Sequence, residues 1–253
     1  MKDVQKQIDE RNVYLNEVGV KDLTFPIQIK KKDGTWENTK GIISLSVDLD
    51  PKQKGTHMSR FVDIIQENNK LDIKHMRNIL EIIKDRLEAQ SSYITLDFDY
   101  FIEKEAPVSK KISYLDVSVE YRAWLKGDDF EFEMTVNTPV TTLCPCSKEI
   151  SDYSAHNQRA NVALTIRTNE FIWIEDLVKI CEESASSPIY SMLKRPDEKY
   201  VTEYAYDHPK FVEDVCREVK LKVDKLPNIK RFEVEVESYE SIHNHSAYAK
   251  VIC

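Results

Sequence analysis

Two cysteines and a histidine lie close together in the segment TTLCPCSKEISDYSAHNQR, which runs from residue 141 to residue 159. Cys144 and Cys146 are two positions apart and His156 follows, with Lys148 and Arg159 as neighbouring cations. Thiolate and imidazole are ligands for transition metals, and the cations would help to keep a thiol deprotonated. The sequence has no second CxxC or HxxxH pair that would complete a structural zinc site. Taken alone, the pattern fits a reactive site and an inert turn equally well.

The proline between the two cysteines bears on their geometry. Pro145 fixes φ and has no N–H donor, which favours an extended backbone. In an extended backbone, residues two positions apart point to the same side. The sequence therefore predicts Cys144 and Cys146 side by side, in a loop between two strands.

The C-terminal segment ESYESIHNHSAYA, residues 237–249, gathers groups that titrate or bind metals. His243 and His245 lie two positions apart, and Glu237 and Glu240 precede them. Imidazole titrates near neutrality and serves as a general acid or base. A polar hairpin tip without function is the alternative, but the density of such groups favours a site.

A third polar cluster, SMLKRPDEKYVTE, covers residues 191–203. It contains Arg195 and Glu198 in what we expect to be a solvated connection between two helices. Glu213 follows one turn into the next helix, where a carboxylate could also do no more than complement the helix dipole.

A fourth cluster, KQKGTHMSRF, lies in the first half of the chain. It places His57 and Arg60 just before or at the start of a helix, an arrangement that suits phosphate binding. Alternatively, Ser59 in the same motif could be a plain N-cap of that helix.

The composition limits the classes of partner. The 253-residue chain has a net charge of −8, so an anionic ligand must be met by a local basic cluster, and neither nucleic acid nor a membrane is expected to bind. No apolar stretch is long enough to span a bilayer, and the charged N-terminal residues do not resemble a signal peptide. Five irregularly placed cysteines predict a reducing compartment, the cytoplasm.

The elements that must position these residues follow the same order twice. In each half, two strand-like segments precede two amphipathic helices and two more strands. The repeat predicts an α+β protein with an arm at 1–20, a first ββααββ unit at 21–126 and a second at 127–253. In the second unit, Asp207 ahead of Pro209 predicts the N-cap of the last helix.

Each predicted unit is a mostly antiparallel four-stranded sheet with both helices on one face. Strands such as FEFEMTV and FEVEVES alternate apolar and acidic residues, as expected for a sheet covered on one face only. Such sheets have open edges that can pair with other subunits, so we expect an oligomer.

Four motifs together resemble the prokaryotic GTP cyclohydrolases of type IB, namely TPVTTLCPCSKEISDYSAHNQR, KRPDEKYVTE, ESIHNHSAYA and GTHMSRF. They extend over nearly the whole chain and occur in the order of that family. Ser154 departs from the family pattern, in which a glycine is expected before AHNQR. The resemblance implies the tunnelling fold, with two tandem ββααββ units that close into barrels in a homotetramer.

The resemblance also implies a reaction and a cofactor. GTP and water would give 7,8-dihydroneopterin triphosphate and formate, the entry step to folate-type pterins and to queuosine. The implied cofactor is a divalent metal ion, Mn²⁺ or Zn²⁺, with Fe²⁺ and Mg²⁺ as further candidates. The implied metal ligands are Cys144, His156 and Glu198.

The implied substrate suggests roles for the other polar residues. His243 and His245 would shuttle protons, with His243 as the main one. Cys146 would contact the substrate, or form a disulfide with Cys144 that silences the site. Sites are expected to form between subunits. The substrate-binding candidates are Glu213 and Glu240 for guanine, and Lys148, Arg60, His57, Arg159 and Arg195 for the triphosphate.

Two alternatives stand beside this reading. Another enzyme of the same fold, such as a nitrile reductase or a pterin synthase, would need a different nucleophile or a three-histidine zinc site, and the sequence has neither pattern. A non-catalytic purine- or pterin-binding module, or a metal store, would bind without turnover. Because every candidate ligand and anchor is present, the enzyme is the favoured reading.

Overall fold

The computed structural model describes residues 4–5 and 7–253 of the chain. The first half has the predicted order of two strands, two helices and two strands, and a two-residue strand between the helices pairs parallel with the first strand. The first strand begins within the segment expected to be an arm. The elements are β1 (Leu15–Lys30), β2 (Trp36–Leu49), α1 (Met58–Glu67), β3 (Lys70–Leu71), α2 (Ile73–Leu87), β4 (Ser91–Glu105) and β5 (Ile112–Lys126).

The second half follows the same course with additional helices. Two strands open it and two strands close it, as predicted, but more than two helices lie between them. The elements are β6 (Asp129–Leu143), α3 (Pro145–Ile150), β7 (Asn157–Thr168), α4 (Ile174–Glu182), β8 (Ser187–Pro188), α5 (Arg195–Asp207), α6 (Val212–Val223), β9 (Ile229–Ser238) and β10 (Ala247–Ile252).

Helix α5 corrects the expected solvated connection. The sequence of α5 has almost no apolar periodicity, and the only residues that this helix buries are Asp197 and Ala205. The start of α5 is defined instead by Pro196 in its first turn and by the hydrogen bond from the backbone N–H of Lys194 to the side chain of Asp197. The predicted N-cap at Asp207 is also wrong, since Asp207 is the last residue of α5 and α6 starts at Val212.

The chain divides into two compact units. Unit 1 contains the chain up to Asp99 together with Glu120–Met134 and Thr168–Phe171. Its strands are hydrogen-bonded in the order β3-β1-β2-β4-β5-β6, and the pairs β1–β2 and β2–β4 are antiparallel. Apolar residues alternate along these strands and bury one face, as Ile43, Leu45 and Val47 do on β2.

Helices α1 and α2 supply the other half of the core of unit 1. Their apolar residues recur at helical spacing and are buried, including Phe61 and Ile64 on α1 and Met76 and Ile79 on α2. Burial of each such side chain contributes about 1.5–3 kcal/mol to the free energy of folding. Asp72 caps α2, because its side chain accepts hydrogen bonds from two backbone N–H groups of the first turn.

Unit 2 contains Tyr100–Val119, Thr135–Arg167 and Ile172–Cys253. Its strand order is β10-β9-β7-β6-β5-β4, with β8 paired to β6. The apolar faces of β7 and β9 are fully buried, with α4 and α6 contributing apolar residues to the same core. Within residues 4–5 and 7–253, no helix has both the length and the apolar content needed to cross a membrane.

Gly19 marks a point where β1 and β2 approach too closely for a side chain. It lies opposite Ser46, and a Cβ atom at this position would be 1.8 Å from the carbonyl oxygen of Leu45. Register irregularities of the kind that β-bulges produce flank Gly19 on both sides. Only glycine fits here, because the obstructing atoms belong to backbone.

We therefore expect Gly19→Ala to lower the free energy of unfolding by about 3 kcal/mol or more, since the two strands must separate locally. Gly55→Ala is the control, because its Cβ would meet only the side chain of Gln5, at 3.6 Å. Its effect should stay within about 0.5 kcal/mol. Urea unfolding of both variants measures the difference, and equal stabilities would contradict the close approach.

Candidate active site

Hydrogen bonds close the segment between Cys144 and His156 into a compact loop. The backbone N–H of Cys144 donates to the carbonyl oxygen of His156 over 3.1 Å. The Ser147 hydroxyl donates to the carbonyl oxygen of Cys144 at 3.1 Å and accepts from the N–H of His156 at 3.2 Å. The two ends of the loop are therefore held together, and Cys144 and His156 with them.

A short helix corrects the predicted geometry of the two cysteines. Helix α3 begins at Pro145, which suits the first turn because its missing N–H has no intrahelical partner there. Cys144 is the N-cap, and its sulfur accepts from the N–H of Ser147 at 3.5 Å. Cys146 lies exposed within the helix, so the expectation of two thiols side by side on an extended chain is wrong. All five cysteines are free.

A series of side-chain hydrogen bonds, here called the polar relay, joins His156 to the loop after β9. The relay consists of His156, Gln158, Thr142, Ser238 and Glu240. The ring Nδ1 of His156 is 2.9 Å from Gln158 Oε1, and Gln158 Nε2 is 3.1 Å from Thr142 Oγ1. Thr142 Oγ1 is 3.2 Å from Ser238 Oγ, which is 3.0 Å from Glu240 Oε1. Three strands, β6, β7 and β9, therefore support this part of the site.

The loop between β9 and β10 contains the two C-terminal histidines, as predicted. The rings of His243 and His245 are stacked, with centroids 5.1 Å apart and an interplanar angle of 17°. Both side chains are exposed. The predicted spacing of two residues thus gives a pair of parallel imidazoles in a solvated loop.

Asp197 fixes the start of α5, the helix on which Arg195 and Glu198 lie. Its carboxylate is fully buried and accepts from the N–H groups of Val108 and Ser109 at 2.8 and 2.7 Å. It also accepts from the Ser109 hydroxyl at 2.6 Å and from the N–H of Lys194 at 2.9 Å. Burial opposes ionisation, but these hydrogen bonds outweigh it and hold the pKa of Asp197 well below its usual range. Arg195 and Glu198 themselves are exposed.

Lys148 connects α3 to α5. Its ammonium group donates to the carbonyl oxygen of Tyr206 and lies 4.1 Å from the centre of the Tyr206 ring. Arg159, at the start of β7, is exposed, and its carbonyl oxygen accepts from the N–H of Tyr239 at 2.9 Å. Both cations therefore belong to the same unit as Cys144.

Glu213 lies exposed in the first turn of α6, beside a pocket of about 270 Å³. The pocket lies between α6 and β10, and the cations Arg217, Lys220 and Lys250 contribute to its lining. Each of these cations is already paired with a carboxylate, Arg217 with Asp214, Lys220 with Asp224 and Lys250 with Glu233 and Glu235. None of these ion pairs involves Glu213, the carboxylate of this lining, so it could accept hydrogen bonds from a ligand.

His57 and Arg60 belong to unit 1. His57 is the N-cap residue of α1 by backbone position, without a side-chain capping bond, and Ser59 lies inside the helix. The alternative reading of Ser59 as the N-cap is therefore wrong. The guanidinium of Arg60 donates to the carbonyl oxygen of Arg86 at 2.6 Å.

The fit of a metal ion depends on which ligands the fold gathers. Among the residues that the structure describes, no three side chains from His, Cys, Asp and Glu are grouped closely enough to hold a metal ion. The loop brings the backbones of Cys144 and His156 together, and the donor atoms of these two residues suit a first-row metal. Glu198 lies on α5 and is not gathered with them, so its assignment stays a prediction.

The residues that sequence reasoning missed are those that support others. Asp197 was hidden in a polar segment, where burial could not be anticipated, and Thr142 and Ser238 occupy strand positions that read as part of the core face. Gln158 had one signal, its position two residues after His156, since residues two apart in an extended chain point to the same side.

The fold agrees with that of solved structures of low sequence identity. The uricase from Arthrobacter globiformis superposes with a TM-score of 0.55 at 7% identity, over 94% of this chain and 92% of that chain. A uricase from Bacillus fastidious gives a TM-score of 0.53 at 8% identity, over 97% and 94% of the two chains. At such identity the likeness shows the fold alone, an α+β protein of the tunnelling-fold class.

Sequence comparison is more specific. Residues 1–249 match the family described as type I GTP cyclohydrolase folE2. GTP cyclohydrolase FolE2 of Fervidobacterium nodosum is 49% identical over 250 residues, which cover 98% of this chain and 96% of the relative. The FolE2 protein of Thermotoga maritima is 50% identical over 251 residues, covering 99% and 96%. The chain belongs to the type I GTP cyclohydrolase FolE2 family, as the resemblance of its four motifs predicted.

Ser154, the residue that departs from the family pattern, has a φ of +112°. This backbone conformation favours glycine, and other residues there are strained by roughly 1–3 kcal/mol. We expect Ser154→Gly to raise the free energy of unfolding by about 1 kcal/mol, because relief of strain exceeds the added entropy of the unfolded chain. Thermal or urea unfolding measures this change in the free energy of unfolding. Ser151→Gly, in the same loop at φ −99°, should destabilise instead, and a stabilisation of equal size would contradict the strain.

Asp197 gives a second prediction for this region. Asp197→Ala should increase amide hydrogen exchange across residues 195–207 by at least about tenfold, because the start of α5 loses its link to Val108 and Ser109. Exchange measured by mass spectrometry tests this. Asp207→Ala, at the other end of the same helix, is the matched control, and equal effects of the two changes would argue against the anchor.

Proposed function

We propose that this chain converts GTP and water to 7,8-dihydroneopterin triphosphate and formate. The observation that carries the proposal is the closed loop that joins Cys144 to His156, found in a chain that belongs to the type I GTP cyclohydrolase FolE2 family. The relatives named above are GTP cyclohydrolases, and they match this chain over nearly their whole length.

The reaction sets clear chemical requirements. Water attacks C8 of the guanine ring, the imidazole ring opens, and a second hydrolysis releases C8 as formate. The ribose then rearranges and condenses with the freed amine, which forms the pterin ring and returns one water. Each step moves protons between nitrogen and oxygen, so the site needs positioned acids and bases.

A divalent ion is part of this proposal, with Mn²⁺ or Zn²⁺ preferred and Fe²⁺ or Mg²⁺ as further candidates. Its ligands would be Cys144, His156 and Glu198, a thiolate, an imidazole and a carboxylate that together suit several metals. When bound, the ion would lower the pKa of a water molecule and so supply the nucleophile. The sulfur of Cys144 would supply the soft ligand of this set, and the N–H of Ser147 holds it in place.

The polar residues of the chain would then bind and orient GTP. A carboxylate can accept the N1–H and 2-amino groups of guanine together, and Glu213 beside its pocket is the first candidate, with Glu240 next. Protons would pass through His243 and His245, and Cys146 would contact the substrate. The triphosphate would be met by the cations Lys148, Arg159, Arg195, Arg60 and His57.

The assembly would be a homotetramer with active sites between subunits. In the strand order of unit 2, β10 stands at the end with β9 as its neighbour, and in unit 1 most of β1 pairs only with β2. Such edges can pair with strands of other subunits. A cytoplasmic location is proposed as well, because five free cysteines suit a reducing compartment.

The test is a GTP turnover assay on chelator-stripped protein under reductant, with Mn²⁺, Zn²⁺, Mg²⁺ or no metal added back. Pterin absorbance and formate are both followed. We expect turnover to return with a divalent ion and to fall by at least about 100-fold in Cys144→Ala, because removal of a ligand exceeds the effect of its supporting residues.

Cys253→Ala is the control, since it removes another exposed thiol far along the sequence from the loop. Its turnover should match that of the unchanged protein. GTP binding without formate under every metal would reject the enzyme in favour of a non-catalytic purine- or pterin-binding module. Full activity of Cys144→Ala would reject its role as a ligand.

A further inference from the structure

The polar relay is buried along most of its length. Thr142 is 2% exposed and Ser238 is 1% exposed, so their hydroxyl groups cannot turn to bulk water for another partner. Each hydroxyl has one proton and can therefore donate one hydrogen bond. The four bonds from His156 to Glu240 must share the protons that the relay itself contains.

The carboxylate at one end sets the direction of every bond. An ionised carboxylate only accepts, so Ser238 must donate its proton to Glu240. Ser238 then has no proton left for Thr142, so Thr142 donates to Ser238. Because the Thr142 proton is used, the bond between Gln158 and Thr142 must be donated by the side-chain NH₂ group of Gln158.

This direction fixes the other end as well. With its NH₂ group on Thr142, Gln158 presents its oxygen to His156 at 2.9 Å. The Ser241 hydroxyl lies 3.3 Å from this Oε1 and 3.5 Å from Nδ1, so its one proton could go to either atom. A proton from Ser241 on Nδ1 would leave two acceptors facing each other at 2.9 Å, which is unfavourable, so Ser241 donates to Oε1. An amide oxygen cannot donate, so the proton of the bond to His156 must sit on the ring Nδ1. The reversed amide would leave one bond of the relay without a proton, in a buried place where that is costly.

We propose that Gln158, Thr142 and Ser238 are positioning residues that hold His156 as the Nδ1–H tautomer, which leaves the lone pair on Nε2 available to bind a divalent ion. The inference rests on the proposed function for the identity of the ligand, but the tautomer itself does not. The proposal also gives the two oxygens of Glu240 different roles, because Oε1 ends the relay and Oε2 stays available to a substrate.

The first measurement is Zn²⁺ affinity of stripped protein, by competition with a fluorescent chelator. Gln158→Ala and the isosteric Thr142→Val should each weaken Zn²⁺ binding by about 10- to 100-fold, because both release the histidine ring. Thr138→Val is the matched control, since Thr138 is fully buried on the same strand and lies outside the relay. Its affinity should stay within about twofold of the unchanged protein.

The second measurement reads the ring proton directly in metal-free protein labelled with ¹⁵N-histidine, with the His156 signal assigned by its loss in His156→Ala. We expect the Nδ1–H tautomer alone in the unchanged protein and a mixture of tautomers in Thr142→Val. A proton on Nε2 in the unchanged protein, or unaltered Zn²⁺ affinity in both relay variants, overturns the proposal. If the unchanged protein binds no divalent ion, the proposed metal fails, and the position of the ring proton alone decides the relay.

Discussion

The hydrogen bonds that Ser147 makes with the two ends of its loop are the contacts on which the candidate site depends. They join the residue that follows β6 to the residue that precedes β7, so the backbones of Cys144 and His156 meet although eleven residues separate them. The backbone bond from Cys144 to His156 and the link from Lys148 to Tyr206 add to this closure. A loop closed by hydrogen bonds thus fixes the positions of these residues, as a helix or a strand would do elsewhere.

The site is rigid on one side and solvated on the other. The relay draws Thr142, Gln158 and Ser238 from three adjacent strands, whose apolar neighbours form the core of unit 2. By contrast, His243 and His245 lie in an exposed loop. Such a division would suit the proposed reaction, in which metal- and substrate-binding groups would stay fixed while His243 and His245 reorient.

The order of elements could be read from the sequence because each element shows its own period. The alternation at Val162, Leu164 and Ile166 identified β7, and all three are fully buried. Helix α5 could not be found this way, because its stability comes from a buried carboxylate rather than an apolar stripe. The four motifs were enough to predict the family, which the sequence comparison confirms. The helix α3 that starts at Pro145 could not be predicted, since proline suits both an extended chain and a helix start.

The link between Asp197 and the turn after β4 has a consequence for how this protein can diverge. A hairpin tip at the surface normally tolerates insertions and deletions, because its length matters little to the rest of a fold. Here the amides of Val108 and Ser109 are bound by a residue next to Glu198. A change in the length of that tip would therefore shift α5, so the turn should keep its length among working relatives even where its residue types drift.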